Sequence, residues 1–149
     1  MAILDSLDKR LLELLGENAS QSGEALAKKL DVSPSTVRRR IRRLNQSGIL
    51  RTAALVHPAK VGFPLVAVMA FDVSHDKLES VTEKLAARSE VKFVTTTTGR
   101  FDVLAFVWFR STDELSEFVQ KDLATVDGIR DTETFLCLQV KKGLYTQMS

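Results

Sequence analysis

At 149 residues, 44% of them hydrophobic and 27% charged, the chain suits one ordinary domain or two small ones and is too apolar to be disordered. Its longest apolar run, residues 61–71, contains Pro64 and falls well short of the roughly 20 residues a membrane helix needs, so no membrane partner is expected. The net charge of +2 is unevenly placed: 11 Lys and Arg face 6 Asp and Glu in residues 1–60, but 10 face 13 beyond, so only the first part suits a polyanion.

No charged-then-apolar leader opens the chain, and the single Cys137 rules out an intrachain disulfide. A cytoplasmic protein is expected, with that thiol a small core residue of an apolar strand.

Residues 6–16 read as a first helix, capped by Asp5, with Leu7, Leu11, Leu14 and Leu15 on one face and Gly16 to close it. Ser22 caps a second helix that turns Ala25, Leu26 and Leu30 inward. Asp31-Val32 then makes a tight connection to a third helix.

That third helix, residues 33–48, is the most informative stretch. Ser33 is an N-cap, Pro34 sits at the first helical position, and Gly48 ends the helix in a left-handed cap. Val37, Ile41 and Leu44 form a narrow buried stripe. Ser35, Arg39, Arg42 and Gln46 lie opposite, flanked by Arg38 and Arg43, while Arg40 is near the core edge and free to point either way. Five arginines in six positions repel one another, so negative charge from outside this helix is expected. A solvated basic face is the bland alternative. Two helices joined by a short turn, the second presented, form a helix-turn-helix, which favours double-stranded DNA as the partner. Ser33, Ser35, Thr36, Arg38, Arg39, Arg42 and Arg43 are the candidate contacts: Ser35 and Thr36 for base edges or phosphates, Arg39 and Arg42 behind them, Arg38 and Arg43 for phosphate.

Residues 49–56 are expected to be extended, as a wing or linker strand, before Pro58 breaks regular structure. The domains are then residues 1–50, a linker strand over 51–62, and a second domain over 63–149. In the latter the pattern predicts strand 65–73, helix 75–88, strands 91–98 and 102–110, helix 112–126 and strand 129–141. The first of these helices buries Leu78, Val81 and Leu85, the second Leu115, Phe118, Val119 and Leu123. The order βαββαβ is that of a ferredoxin-like sandwich, making the whole an α+β protein. In 65–71 and 103–109 both alternating sets are apolar, yet two helices cover only one sheet face. A second copy is expected on the other, with either Phe106 or Phe109 pointing into it.

No catalytic constellation, metal-ligand spacing or phosphate loop stands out, so no cofactor, metal or enzymatic activity is expected. Two loops are less ordinary. Residues 98–102 (Thr98, Gly99, Arg100, Phe101, Asp102) join the central strands, and residues 131–134 open the last one with Thr132 and Thr134. Together they offer a backbone concavity, a carboxylate for an ammonium and hydroxyls for a carboxylate. A capped hairpin with ordinary β-branched strand residues is the alternative.

Leu4-Asp5 and Asp8, the run Leu26 to Leu30 into Val32–Val37, and Arg38–Leu44 with Gly48-Ile49-Leu50 resemble the DNA-binding half of the Lrp/AsnC, or feast/famine, transcription regulators. Pro58 and Gly62 resemble that family's linker, Val94–Val103 its ligand-domain hairpin, and Val126–Ile129 with Thr132 and Thr134 the run into its final strand. The resemblance spans essentially the whole chain. It implies a winged helix-turn-helix joined to a RAM-type domain that dimerises and often forms octamers. It also implies a small effector, usually an amino acid, bound between dimers at Gly99, Arg100, Phe101, Asp102, Thr132 and Thr134. Val103 stands where an aromatic residue is common, and Arg100-Phe101 brings a charge and a ring to the loop, leaving effector identity and effector independence open. Sirohaem decarboxylases resemble the same two-domain architecture, but their histidine-containing motif falls where this chain reads Thr95–Thr98. A stand-alone amino-acid-binding module is a further alternative, against which the complete N-terminal half argues.

Overall fold

The computed structural model describes residues 4–141, so the end of the expected second domain, 142–149, lies outside the described residues. The chain divides between Ala54 and Leu55 into two compact units, each with its own core.

The first unit is three helices: α1 (Ser6–Glu17), α2 (Gly23–Leu30) and α3 (Pro34–Gln46). Each begins where a short polar side chain accepts a first-turn amide: Asp5 from Asp8, Ser22 from Ala25, Ser33 from Thr36. Between α2 and α3 the chain reverses through Asp31, left-handed at φ 55°, while the Val32 N–H donates to the Ala27 carbonyl. After α3, Gly48 takes φ 71° and the Ile49 and Leu50 amides both donate to the Leu44 carbonyl, closing the helix. Leu11, Leu15, Leu26, Ala27, Leu30, Val37 and Leu44 fill the core. Gly16 does not close α1; it lies inside the helix, which ends in extended Asn18.

The expected linker strand is not formed. Among the described residues, 51–57 have no helix or strand assignment and Pro58–Val61 is a 3-10 turn. An extended segment needs a neighbour to satisfy its amides as a strand, and none of the described residues pairs with it there.

The second unit is β1 (Leu65–Val73), α4 (Leu78–Ala86), β2 (Val91–Thr96), β3 (Val103–Phe109), α5 (Thr112–Glu117) and β4 (Ile129–Leu136). The sheet runs β2-β3-β1-β4, every neighbouring pair antiparallel, which is the ferredoxin-like order. Residues 75–77 make a 3-10 turn ahead of α4. The second predicted helix is regular only to Glu117. A π turn follows over Phe118–Asp122, and a 3-10 turn over Leu123–Thr125. The wider turn inserts a residue, so Phe118 and Leu123 reach the core while Val119, expected there, is exposed.

Alternation settles the two sheet faces. Ala67, Met69, Phe71 and Val73 on β1 and Val103, Ala105, Val107 and Phe109 on β3 are buried with Val81, Leu85, Phe118 and Leu123. Phe109 is therefore core. Phe106 is 43% exposed on the opposite face, its ring 5.9 Å from that of Phe93. Cys137 lies one residue past β4 and is half-buried rather than core.

Candidate nucleic-acid interface and effector loop

The five α3 arginines divide into two sets. Arg38, Arg39 and Arg42 are exposed, and no hydrogen bond, ion pair or ring contact holds them among the described residues. Arg40 and Arg43 turn to the start of α1. Arg40 Nη1 pairs with Asp5 and lies 3.0 Å from Asp8 Oδ1, while Arg43 Nη2 pairs with Asp8 Oδ2. The missing negative charge thus comes from within the chain.

Asp8 is fully buried and accepts from Arg40, from Arg43 and from the Asp5 amide at 3.2 Å. Burying a charge requires this degree of pairing. Beside Arg40, the Asp5 carboxyl is held below the usual carboxylate range, mainly by that side-chain hydrogen bond and then by the Asp8 amide. Arg43, expected to be free for phosphate, is instead a partner of Asp8. Asp8 itself was missed, although a signal existed: it continues the Leu4, Leu11, Leu15 stripe of α1, where an Asp must be paired.

At the N-terminus of α3, Ser33 Oγ lies 2.8 Å from Ser35 Oγ and 2.9 Å from Thr36 Oγ1. Ser33 and Ser35 are exposed and Thr36 is half-buried.

In the second unit the β2–β3 hairpin is closed by the Thr97 amide donating to the Asp102 carbonyl at 2.9 Å and the Thr97 hydroxyl to the Phe101 carbonyl at 2.6 Å. Gly99 takes φ 120°, which a side chain would disfavour. Asp102 is stitched to β1: its amide donates to the Phe71 carbonyl at 2.9 Å, and its Oδ2 accepts the Val73 amide at 2.8 Å. Arg130, paired with Asp72, approaches the same oxygen to 3.9 Å. Arg100 lies 5.0 Å from the Phe101 ring centre and reaches Glu133 of β4 at 2.8 Å.

The hairpin therefore meets β4 through Glu133, which lies in the 131–134 loop but is not among the candidate effector residues. Thr132 and Thr134 pair with Phe71 and Met69, both core residues, so they point to the helix-covered face. Glu133 pairs with Ala70 on the other face. Within one chain the two threonines do not join Gly99, Arg100, Phe101 and Asp102 in a single site.

A helix-turn-helix with a cationic second helix, followed by a ferredoxin-like domain, defines a two-part DNA-binding regulator. The comparisons carry this further. The AsnC-type helix-turn-helix domain matches residues 4–45, and the Lrp/AsnC ligand binding domain matches residues 66–145. An uncharacterized HTH-type transcriptional regulator of Pyrococcus furiosus is 41% identical over 147 residues, 98% of this chain and 99% of its own. Escherichia coli AsnC superposes with a TM-score of 0.84 at 31% identity, over 95% of this chain and 97% of that one. The Neisseria meningitidis transcriptional regulator NMB0573, solved as a complex with L-Met, superposes with a TM-score of 0.85 at 28% identity, over 95% and 94%. The chain belongs to the Lrp/AsnC family of helix-turn-helix transcriptional regulators.

Proposed function

We propose that this protein regulates transcription as a homodimer that lays the N-terminal half of α3 in the DNA major groove and answers to an amino acid. The observation that carries the reading is the arc of α3 formed by Ser35, Arg38, Arg39 and Arg42, all exposed, the three arginines without a partner among the described residues. Ser35, Arg39 and Arg42 face base edges and Arg38 the phosphates. Ser33 and Thr36 hold the helix start. Arg43, occupied by Asp8, is withdrawn from the set of phosphate contacts.

Dimerisation uses the outer sheet face. Phe93, Phe106 and Phe135 stand 53%, 43% and 51% exposed on three strands, with Val66, Val68 and Leu104 between them. A contiguous apolar face of this kind calls for a partner surface, and the two-fold pairing presents two α3 helices to half-sites of an approximate palindrome. Octamers are a further closure of such dimers. The protein acts as a non-enzymatic, cytoplasmic DNA-binding factor; the histidine of the decarboxylase resemblance is absent from Thr95–Thr98.

The effector reading draws on the neisserial relative solved with L-Met and on the hairpin. Asp102 keeps one carboxylate oxygen beyond the Val73 hydrogen bond for a ligand ammonium, Gly99 lets the backbone approach, and Arg100 and Phe101 meet the ligand's side chain. Thr132 and Thr134 contribute only where a neighbouring subunit brings them near a hairpin.

Calorimetric titration of the twenty amino acids tests this directly. Asp102→Asn keeps an acceptor for the Val73 amide while removing the charge. It should weaken effector binding by about 1.5–3 kcal/mol, the worth of a charge-assisted hydrogen bond, and leave effector-free DNA affinity unchanged. Undiminished binding in this variant puts the site elsewhere. A wild type that binds no amino acid is an effector-independent regulator.

A further inference from the structure

We propose that Asp5 and Asp8 select which arginines of α3 read DNA, by holding Arg40 and Arg43 against α1 and leaving Arg38, Arg39 and Arg42 as the cationic reading face. The inference rests on the DNA-binding reading above and adds two positioning residues to it.

At about 100° per residue, Arg38, Arg42, Ser35 and Arg39 occupy one arc of α3, and Arg43 and Arg40 follow on the side that meets α1. The arc and the α1 side differ in chemistry as well as position. Along the arc the guanidinium groups have no partner among the described residues; on the α1 side both end on carboxylates. Asp8 is fully buried. Giving Arg40 or Arg43 to a phosphate would take from the buried Asp8 one of its two guanidinium partners, which disfavours the exchange.

The two aspartates are also the capping box of α1: the Asp8 amide donates to Asp5 Oδ1 at 2.9 Å and the Asp5 amide to Asp8 Oδ2 at 3.2 Å. The first turn of α1 and the rotation of α3 about its axis are therefore fixed by the same four side chains. A loose cation adds affinity for every phosphate and no sequence information. Withdrawing two of five lowers sequence-independent binding and leaves the remaining three on one face of the helix.

The test is a salt titration of the full-length protein on an operator selected from random duplexes and on an unrelated duplex of equal length. Arg38→Gln should make the slope of log affinity against log salt shallower by about one per helix engaged. Arg43→Gln should leave that slope as in the wild type. Asp8→Asn, checked for cooperative unfolding, should steepen it by about one to two per helix and raise affinity for the unrelated duplex by about tenfold or more. A role confined to folding would weaken both duplexes alike and would not steepen the slope. Arg43→Gln shallowing the slope as much as Arg38→Gln overturns the proposal, as does a folded Asp8→Asn with the wild-type slope. If Asp8→Asn does not fold, the Arg43→Gln result decides alone. A wild type that binds neither duplex defeats the DNA-binding reading, and this inference with it.

Discussion

Gly128 shows how one missing side chain holds the second unit together. Its φ of 104° is a conformation that L side chains rarely adopt, and a Cβ there would sit 2.4 Å from the Cβ of Lys77 and 3.3 Å from a methyl of Val81. The close approach lets the Gly128 carbonyl accept the Ser74 amide at 2.8 Å, joining the entry to α4 to the start of β4. Gly128→Ala should therefore destabilise by about 2–4 kcal/mol, strain and overpacking together, read as a shift in the denaturant midpoint. Gly16 is the opposite case: it lies inside α1 with nothing within 4 Å of a built Cβ. There an alanine should stabilise by about 0.5–1 kcal/mol, because the unfolded chain has less freedom to lose. Similar results for the two substitutions would mean that backbone conformation does not govern either site.

The outer face of β3 makes a sharper prediction at the level of the element. Phe106→Glu leaves the core intact and places an unpaired charge on the face proposed to dimerise, so it should weaken that dimer by about 3–5 kcal/mol, on the order of 100- to 1,000-fold in Kd or more. Light scattering with unchanged circular dichroism reads this out. A wild type that is monomeric at micromolar concentration would remove the basis for that face as an interface. The strands were legible because period-two alternation and β-branched runs are local signals: β1 has the predicted ends and β3 differs by one residue at each, while β2 and β4 stop at Thr96 and Leu136, short of the predicted 98 and 141. Which apolar set of β3 faced inward was not legible, since Phe106 and Phe109 differ only in what packs over them. The π turn at Phe118–Asp122 was likewise hidden, because helix periodicity fixes no turn width; Val119 was assigned inward for that reason. The α3 arginines were legible as a basic face, but their division was not. It depends on Asp5 and Asp8, more than thirty residues earlier.

For the whole molecule, the charge pairing predicts an acid response. The Asp5 pKa is lowered in the folded state, so its contribution to stability is present above the ordinary Asp value of about 4 and fades as pH falls through the lower folded value. Arg40, its partner, is shifted upward and stays charged throughout. Asp5→Asn retains a competent helix cap but removes this dependence. Thermal unfolding of the two proteins should differ near pH 7 and converge toward pH 3; a constant gap would assign the Asp5 effect to capping alone. The two cores share no residue, and the boundary between the units falls in the irregular segment 51–57. A gene recombining between codons 54 and 55 would leave both cores undivided. On the proposed function, DNA preference and effector preference can thus be inherited separately, and a lineage can acquire a new signal for an old set of genes by exchange rather than by gradual substitution.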